Sequence, residues 1–505
     1  MPATCDAVVI GAGVNGLSLA LRLRRAGLRT LVVEQAAFVG GMARTEEPLL
    51  AGFRHNPHAN YLAYGAVNPL ERAFDFASAG LVTLTPEAQH GLCFADGRPP
   101  LILYRNDLTQ RSGESLRQYS DRDAHTYVRL KGAANALSPV MAKSLYSPPA
   151  RESASRLVAA ADHIFGGALN DRSARDVIDT LFEADEVRSL FYQLAAETGL
   201  SIETPGSGVG FLTFTLWLVG QLRLPVGGMR AYADAIAETA RREGVEFALD
   251  APVESITLQA GRAVGVTLAG HGHVGARAVA SSAGVYATLA GMVPDAAFSA
   301  QESARILAYA ATEGPTLATL IFCLSAPPAY SSARWNADID RCFRTLVGYG
   351  GARETLAHLR DIERGMLPPP SAALRVNSLW DPSQAPAGRH VAGGDVLMPA
   401  PSSFDPSDWE AVSASFIEAF IEVWGSHAPN MTPDTVLAGR FMPPERYDRA
   451  LLLGEGTGQY RTGIERLYLC GASTWPGGGA HGACGYNAFG AIAEDLGLKA
   501  ATRRD

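Results

Sequence analysis

One stretch at the amino terminus constrains the fold more than anything else in the chain. Asp6-Ala7-Val8-Val9-Ile10 is a short apolar run rich in β-branched residues, which predicts a buried strand. It runs into Gly11-Ala12-Gly13-Val14-Asn15-Gly16, with GxGxxG spacing. A segment rich in Ala, Leu and Arg follows and predicts a helix, closed by Gly27. Leu31-Val32-Val33 predicts a second buried strand, with Glu34 and Gln35 at its end. Strand, glycine turn, helix, strand and acid in this register predict a dinucleotide-binding βαβ unit. Gly11 serves the tight turn, Gly13 the approach of a pyrophosphate, and Gly16 the contact of helix with strand. The first helical turn, at Val14 and Asn15, presents backbone N–H groups to the phosphates. Glu34 suits a ribose 2′-hydroxyl and repels a 2′-phosphate, which disfavours NADP.

The next residues narrow the nucleotide. Phe38-Val39-Gly40-Gly41-Met42-Ala43-Arg44-Thr45 places two glycines, a methionine and an arginine directly after the acid. Gly40 and Gly41 suit a second backbone segment laid against a cofactor, and Arg44 offers a fixed charge to phosphate or flavin. An NAD dehydrogenase has no need of this second glycine pair. The stretch resembles the glycine-pair motif of the FAD-dependent oxidase and desaturase superfamily, which includes amine oxidases, protoporphyrinogen oxidase and phytoene desaturases.

Composition removes several classes. The chain has 505 residues, long enough for more than one domain. With 43 basic against 51 acidic residues and no basic cluster, nucleic acid is not an expected partner. Cys5, Cys93, Cys323, Cys342, Cys470 and Cys484 form no CxxC and no metal-type spacing, so they read as reduced thiols, with no metal expected. With no signal peptide before the first strand, a cytoplasmic location is expected. The most apolar stretch, residues 209–219, reads as a core element, a substrate-tunnel wall, or a patch for peripheral membrane contact.

The domain pattern is interrupted. Residues 1–75 read as the first part of a nucleotide domain and 76–224 as an inserted substrate domain with helical patterns. Residues 225–290 return to the nucleotide domain: Gly227-Gly228-Met229 opens a helix, and alternating apolar residues flank Ala260-Gly261-Arg262 as a hairpin. Residues 291–430 form the second part of the substrate domain, and 431–505 close the nucleotide domain. In that last part, Leu467-Tyr468-Leu469 runs into Cys470-Gly471-Ala472-Ser473-Thr474-Trp475-Pro476-Gly477-Gly478-Gly479-Ala480-His481-Gly482-Ala483 and then a helix carrying Tyr486 and Asn487. Such a loop exposes many backbone N–H groups, and the helix start adds its dipole.

Together with the amino-terminal fingerprint, this closing loop resembles the phytoene-desaturase-like FAD-dependent oxidoreductases, in the branch called pyridine nucleotide-disulfide oxidoreductase domain-containing proteins. The resemblance implies an α/β, Rossmann-like two-dinucleotide-binding-domain flavoprotein with an inserted α+β substrate domain, and non-covalent FAD. It implies that Gly471, Ala472, Gly478, Gly479, Gly482, Ala483, Tyr486 and Asn487 lie along the flavin, and that backbone near Val253 meets the adenine. Two departures count against a carotenoid substrate: Trp475 where carotenoid desaturases usually carry histidine, and Gly284 where relatives often carry an acid.

The leading expectation is a dehydrogenase or oxidase that takes hydride from a C–H of a largely apolar small molecule onto flavin N5, with oxygen or a quinone as acceptor. A redox-neutral isomerase of a polyene and a flavin-bound partner-binding protein are the alternatives. Candidate catalytic residues are Trp475, His481, His58 and Tyr61, with His55 and Asn487 as further pocket groups. Gly206-Ser207-Gly208-Val209-Gly210 follows no strand and is not expected to be a nicotinamide site.

Overall fold

The computed structural model describes residues 3–65, 67–169, 171–197, 199, 201–311, 314–444 and 460–498. Two seven-stranded sheets organise them. In the first, Thr4–Ile10 lies between Thr30–Val33 and Gly272–Ser281, parallel to both, with Val8 level with Leu31 and with Val279. Glu246–Ala248 extends one edge in parallel, and Leu467–Leu469 pairs in parallel with Gly272–Ser281. Val253–Gln259 and Arg262–Leu268 form the antiparallel hairpin beyond it, turning at Ala260 and Gly261. The central strands read as unbroken apolar runs because both faces are covered. Helices Val14–Arg25, Met229–Arg242 and Ala483–Asp495 bury one face through Leu17, Ile236 and Ile492.

The second sheet runs Val436–Met442, Thr316–Leu324, His390–Met398, Ala372–Arg375, Arg344–Val347, Ala88–Leu92, Leu101–Tyr104. Strand Val436–Met442, expected in the nucleotide domain, instead pairs along Thr316–Leu324, so this second sheet extends past residue 430. One face packs on helix Pro406–His427 through Phe322, Phe420 and Trp424. The opposite face carries Leu92, Leu346, Ala373 and Leu397 against a helical layer that includes Asp121–Ala136, Ala174–Leu181 and Asp185–Ala196. This second face meets the segment after the glycine pair, where Asn60 reaches Asp395. Short pairings of Leu62 with Arg223 and of Thr83–Leu84 with Leu224–Pro225 tie the two parts together.

Residues 209–219 form helical turns, including a π-type turn over Phe211–Thr215. Phe211, Leu212, Leu216, Trp217 and Val219 are buried in the helical core. The segment thus packs as a core element, the first of the three readings its composition allows. Among the described residues no helix is long and apolar enough to cross a membrane.

Candidate functional site

The amino-terminal motif folds as a close-packed backbone cradle. Gly11 turns the chain out of the first strand, and a Cβ at Gly16 would stand 2.1 Å from the Gly11 carbonyl oxygen, so helix and turn touch. Gly13 caps the helix without a side-chain hydrogen bond, and no acid occupies the first turn, which leaves that end suited to an anion. The glycine pair lies alongside: Gly40 N–H donates to Ala12 O at 2.9 Å. Glu34 accepts from the N–H of Ala12 at 2.8 Å and of Ala36 at 3.0 Å, one on each oxygen. Ala251 N–H donates to Glu34 O at 2.9 Å, which brings the turn before Val253 beside the acid. Gln35 and Met42 are exposed.

The polar run after the glycine pair is used in three ways. Arg44 donates to Nε2 of His58 at 2.8 Å and pairs with Glu46 at 3.3 Å. Thr45 and Asn56 cap helix Met229–Arg242, accepting from the N–H of Arg230 and of Met229 at 3.1 Å each. His55 is buried with Nε2 3.6 Å from Cys323 Sγ, and burial pushes its pKa down to about 4.

The closing loop leaves the strand end at Cys470, whose N–H donates to Ser281 O at 2.8 Å. The Trp475 indole N–H donates to Ser144 O at 2.8 Å, fastening the loop to the inserted helices. His481 is buried, and both ring nitrogens serve its own loop: Nε2–H donates to Gly478 O at 3.1 Å and Nδ1 accepts from Ala483 N–H at 2.9 Å. Burial pushes its pKa down to about 4, so the ring is neutral. With both nitrogens committed it has no lone pair for a substrate proton, and the expected role as a base gives way to loop bracing. The Asn487 amide donates to Leu145 O at 2.9 Å, and the Tyr486 ring meets Tyr146 edge-on at 5.5 Å. A Cβ at Gly485 would fall 1.8 Å from Asn15 O, so the last helix and the first touch at their starts. Gly478 faces open space.

Beyond this loop stands an aromatic wall. Tyr64 packs edge-on to His481 at 4.9 Å and faces Phe214 at 6.4 Å and Trp217 at 6.3 Å. Tyr61 packs on Phe343 at 6.2 Å. Behind Tyr61 the second sheet carries two buried ion pairs. Arg344 holds Glu197 through both oxygens at 2.5 and 2.6 Å, and Arg375 holds Asp395 at 2.5 and 2.9 Å. Asn60 donates to Asp395 at 3.1 Å. Burial raises the pKa of Glu197 against the opposing pull of Arg344. Tyr64, Glu197, Arg344, Arg375 and Asp395 carry no motif in the sequence. Four of them come from separate strands or helix ends, and the only local trace is an arginine bordering an apolar run, as in Ala372-Ala373-Leu374-Arg375.

Comparison with known proteins follows the same outline. The FAD dependent oxidoreductase family matches residues 6–323. The chain belongs to that family. It is 26% identical to a limonene dehydrogenase component from Castellaniella defragrans, covering 98% of this chain and 95% of that protein. It is 25% identical to the rat pyridine nucleotide-disulfide oxidoreductase domain-containing protein 2, covering 97% and 94%, and 24% identical to a Rhodobacter capsulatus hydroxyneurosporene desaturase, covering 95% of each. Among solved structures, an oxidoreductase from Methanosarcina mazei superposes with a TM-score of 0.61 at 18% identity, covering 97% of this chain and all of that one. A triple mutant of putrescine oxidase superposes with a TM-score of 0.60 at 14% identity, covering 98% of each chain.

This FAD-dependent oxidoreductase thus has a Rossmann-like flavoprotein fold, and its residues fit a flavin dinucleotide. The cradle and the closing loop lie at opposite ends of one helix-start contact, between Asn15 and Gly485. Asn15 Oδ1, in the first turn after the cradle, and Ser473 Oγ, in the closing loop, are buried without hydrogen-bond partners. Buried polar atoms of this kind require a partner.

Proposed function

We propose that this oxidoreductase is a desaturase-like dehydrogenase or oxidase of a largely apolar small molecule, with oxygen or a quinone as final acceptor. The observation that carries the reading is the contact of the aromatic wall Tyr64–Phe214–Trp217 with the closing glycine loop at His481. Bound FAD supplies a hydride acceptor for a C–H activated by a neighbouring double bond or heteroatom. The backbone of Gly11, Gly13, Val14, Asn15, Gly16, Gly40 and Gly41 takes the pyrophosphate, Glu34 the ribose, and the backbone at Val253 the adenine. Gly471, Ala472, Gly478, Gly479, Gly482 and Ala483 line the flavin end. The wall aligns the substrate and excludes water, and the neutral His481 keeps the loop in place. Trp475 and Tyr61 border the substrate space.

The named activities of the relatives, a limonene dehydrogenase and polyene desaturases, support an unsaturated substrate. The amine oxidases among the structural neighbours share the fold at low identity. Here the carboxylates of the chamber are already held by Arg344 and Arg375, so they do not call for an ammonium. FAD is held without a covalent bond. Cys484 is buried, donates to Thr474 O and Gly477 O, and burial pushes its thiol pKa up to about 12.

Mass analysis of product tests the reading. Anaerobic mixing of flavin-loaded protein with limonene, a linear polyene and matched amines should bleach the flavin in proportion to a product two hydrogens lighter, from an unsaturated substrate. Isomerised product of unchanged mass without bleaching would overturn it. Denaturation should release the flavin into the supernatant, and flavin that precipitates with the chain would contradict the non-covalent assignment.

A further inference from the structure

The sheet face opposite helix Pro406–His427 carries a buried charged cluster. Arg344 lies level with His90 on the neighbouring strand, and Arg375 lies level with Gly393, two residues before Asp395. The period of two puts Arg344, His90, Arg375 and Asp395 on that same face, toward the helical layer. Glu197, at the end of helix Asp185–Ala196, meets Arg344 from above. Two guanidinium groups and two carboxylates make a closed, charge-balanced set, with Arg344 also 3.7 Å from Asp395.

The set is not saturated. Both ring nitrogens of His90 and the Nε of Arg344 and Arg375 are buried without partners. The side chain of Glu197 keeps 19% of its surface accessible although it sits among these buried groups. Tyr61 follows Asn60, which donates to Asp395, and its ring rests on Phe343, next to Arg344. Its hydroxyl has no hydrogen-bond partner among the described residues, while the charges of Arg344, Asp395 and Glu197 act on it. Tyr61 thus stands between the ion pairs and Tyr64, which touches the closing loop.

We propose that Tyr61 and Glu197 anchor a neutral oxygen substituent, a hydroxyl or carbonyl, at one end of an otherwise apolar substrate. This rests on the apolar-substrate reading above and adds the group that orients it. A hydroxyl can donate to a lone pair of Glu197 and accept from the Tyr61 hydroxyl without opening either ion pair. A carboxylate or ammonium would have to displace one half of a buried bidentate pair and leave the other half uncompensated. A pure hydrocarbon would leave the Tyr61 hydroxyl desolvated and unpaired, and sites with such a polar group discriminate strongly against the analogue that lacks it.

One carbon skeleton with different head groups tests the anchor: limonene, perillyl alcohol, perillaldehyde, perillic acid and perillylamine. Binding is read by perturbation of the flavin spectrum of the holoenzyme, under oxidising conditions and without turnover. Anaerobic bleaching is read separately. The alcohol or aldehyde should bind at least about tenfold tighter than limonene, and the acid and amine no tighter than limonene. In Tyr61→Phe the alcohol should fall to within about threefold of limonene measured on the same variant, with flavin content retained. Equal binding of alcohol and hydrocarbon, a preference for acid or amine, or a preference that survives both Tyr61→Phe and Glu197→Gln would overturn the anchor. Bleaching without head-group preference rejects the anchor and keeps the hydride reading. Preference without bleaching keeps the anchor and rejects the hydride reading. No binding of any of the five rejects both.

Discussion

The glycine cradle and the side-chain cluster proposed as the substrate chamber are built by different means. In the cradle the contacts are backbone: Gly40 N–H on Ala12 O, Ala251 N–H on Glu34 O, and a helix start with no acid near it. In the chamber the contacts are side chains: two bidentate ion pairs and an aromatic wall gathered from widely separated segments. The cradle depends on backbone room at its glycines and on one side chain, Glu34. The chamber tolerates neither loss of a charge nor loss of its partner, because each is buried.

The largest effect should come from the chamber. Arg344→Met leaves Glu197 without its partner in the interior and should destabilise the protein by about 3–5 kcal/mol in denaturant titration. The double change with Glu197→Met should recover much of that loss. A single variant within about 1 kcal/mol of the parent would mean that the pair is solvated. Gly485→Ala sharpens the comparison from the other side. Its Cβ would meet Asn15 O at 1.8 Å, and overpacking of about 1–3 kcal/mol should appear as flavin lost on gel filtration. Flavin retained in full would show that the two helix starts can part.

Glu34→Ala should weaken FAD binding by about 1–3 kcal/mol, the scale of a lost charge-assisted hydrogen bond. Arg44→Ala should weaken it less, since Arg44 already serves His58 and Glu46. Titration of FAD into apoprotein reads both, and equal losses would mean that Arg44 reaches the cofactor. The smallest effect is acid sensitivity. His55, His358 and His481 are pushed by burial from an ordinary 6.5 to about 4. The unfolded chain takes up protons on them first, so the stability they contribute is present above pH 6.5 and declines toward pH 4. Each contributes a slope of up to about 1.4 kcal/mol per pH unit. Thermal melting in His481→Asn should show a shallower acid limb, and an unchanged limb would contradict the burial of a neutral ring.

The contrast also explains what can be read from residues alone. The cradle is legible because its geometry is local: Gly11, Gly13, Gly16 and Glu34 act within one βαβ unit, and spacing encodes their roles. The closing loop is legible for the same reason. His481 stands out by position but not by chemistry, because the N–H of Ala483 and the carbonyl of Gly478 that occupy it depend on how the loop folds back. The chamber is silent, since Glu197, Arg344, Arg375 and Asp395 meet only through sheet register and helix docking. Strand Val436–Met442 escapes a local reading because pairing with Thr316–Leu324 across more than a hundred residues leaves no trace in its own neighbourhood.

Stopped-flow reduction of the holoenzyme, anaerobically and side by side with NADH, NADPH and the limonene-skeleton compounds, tests the central claim most directly. The cradle has one dinucleotide fingerprint, so the organic substrate should bleach the flavin at the turnover rate while either nicotinamide bleaches it far more slowly. Bleaching by NADH or NADPH at the turnover rate, with the organic compounds inert, would contradict the account.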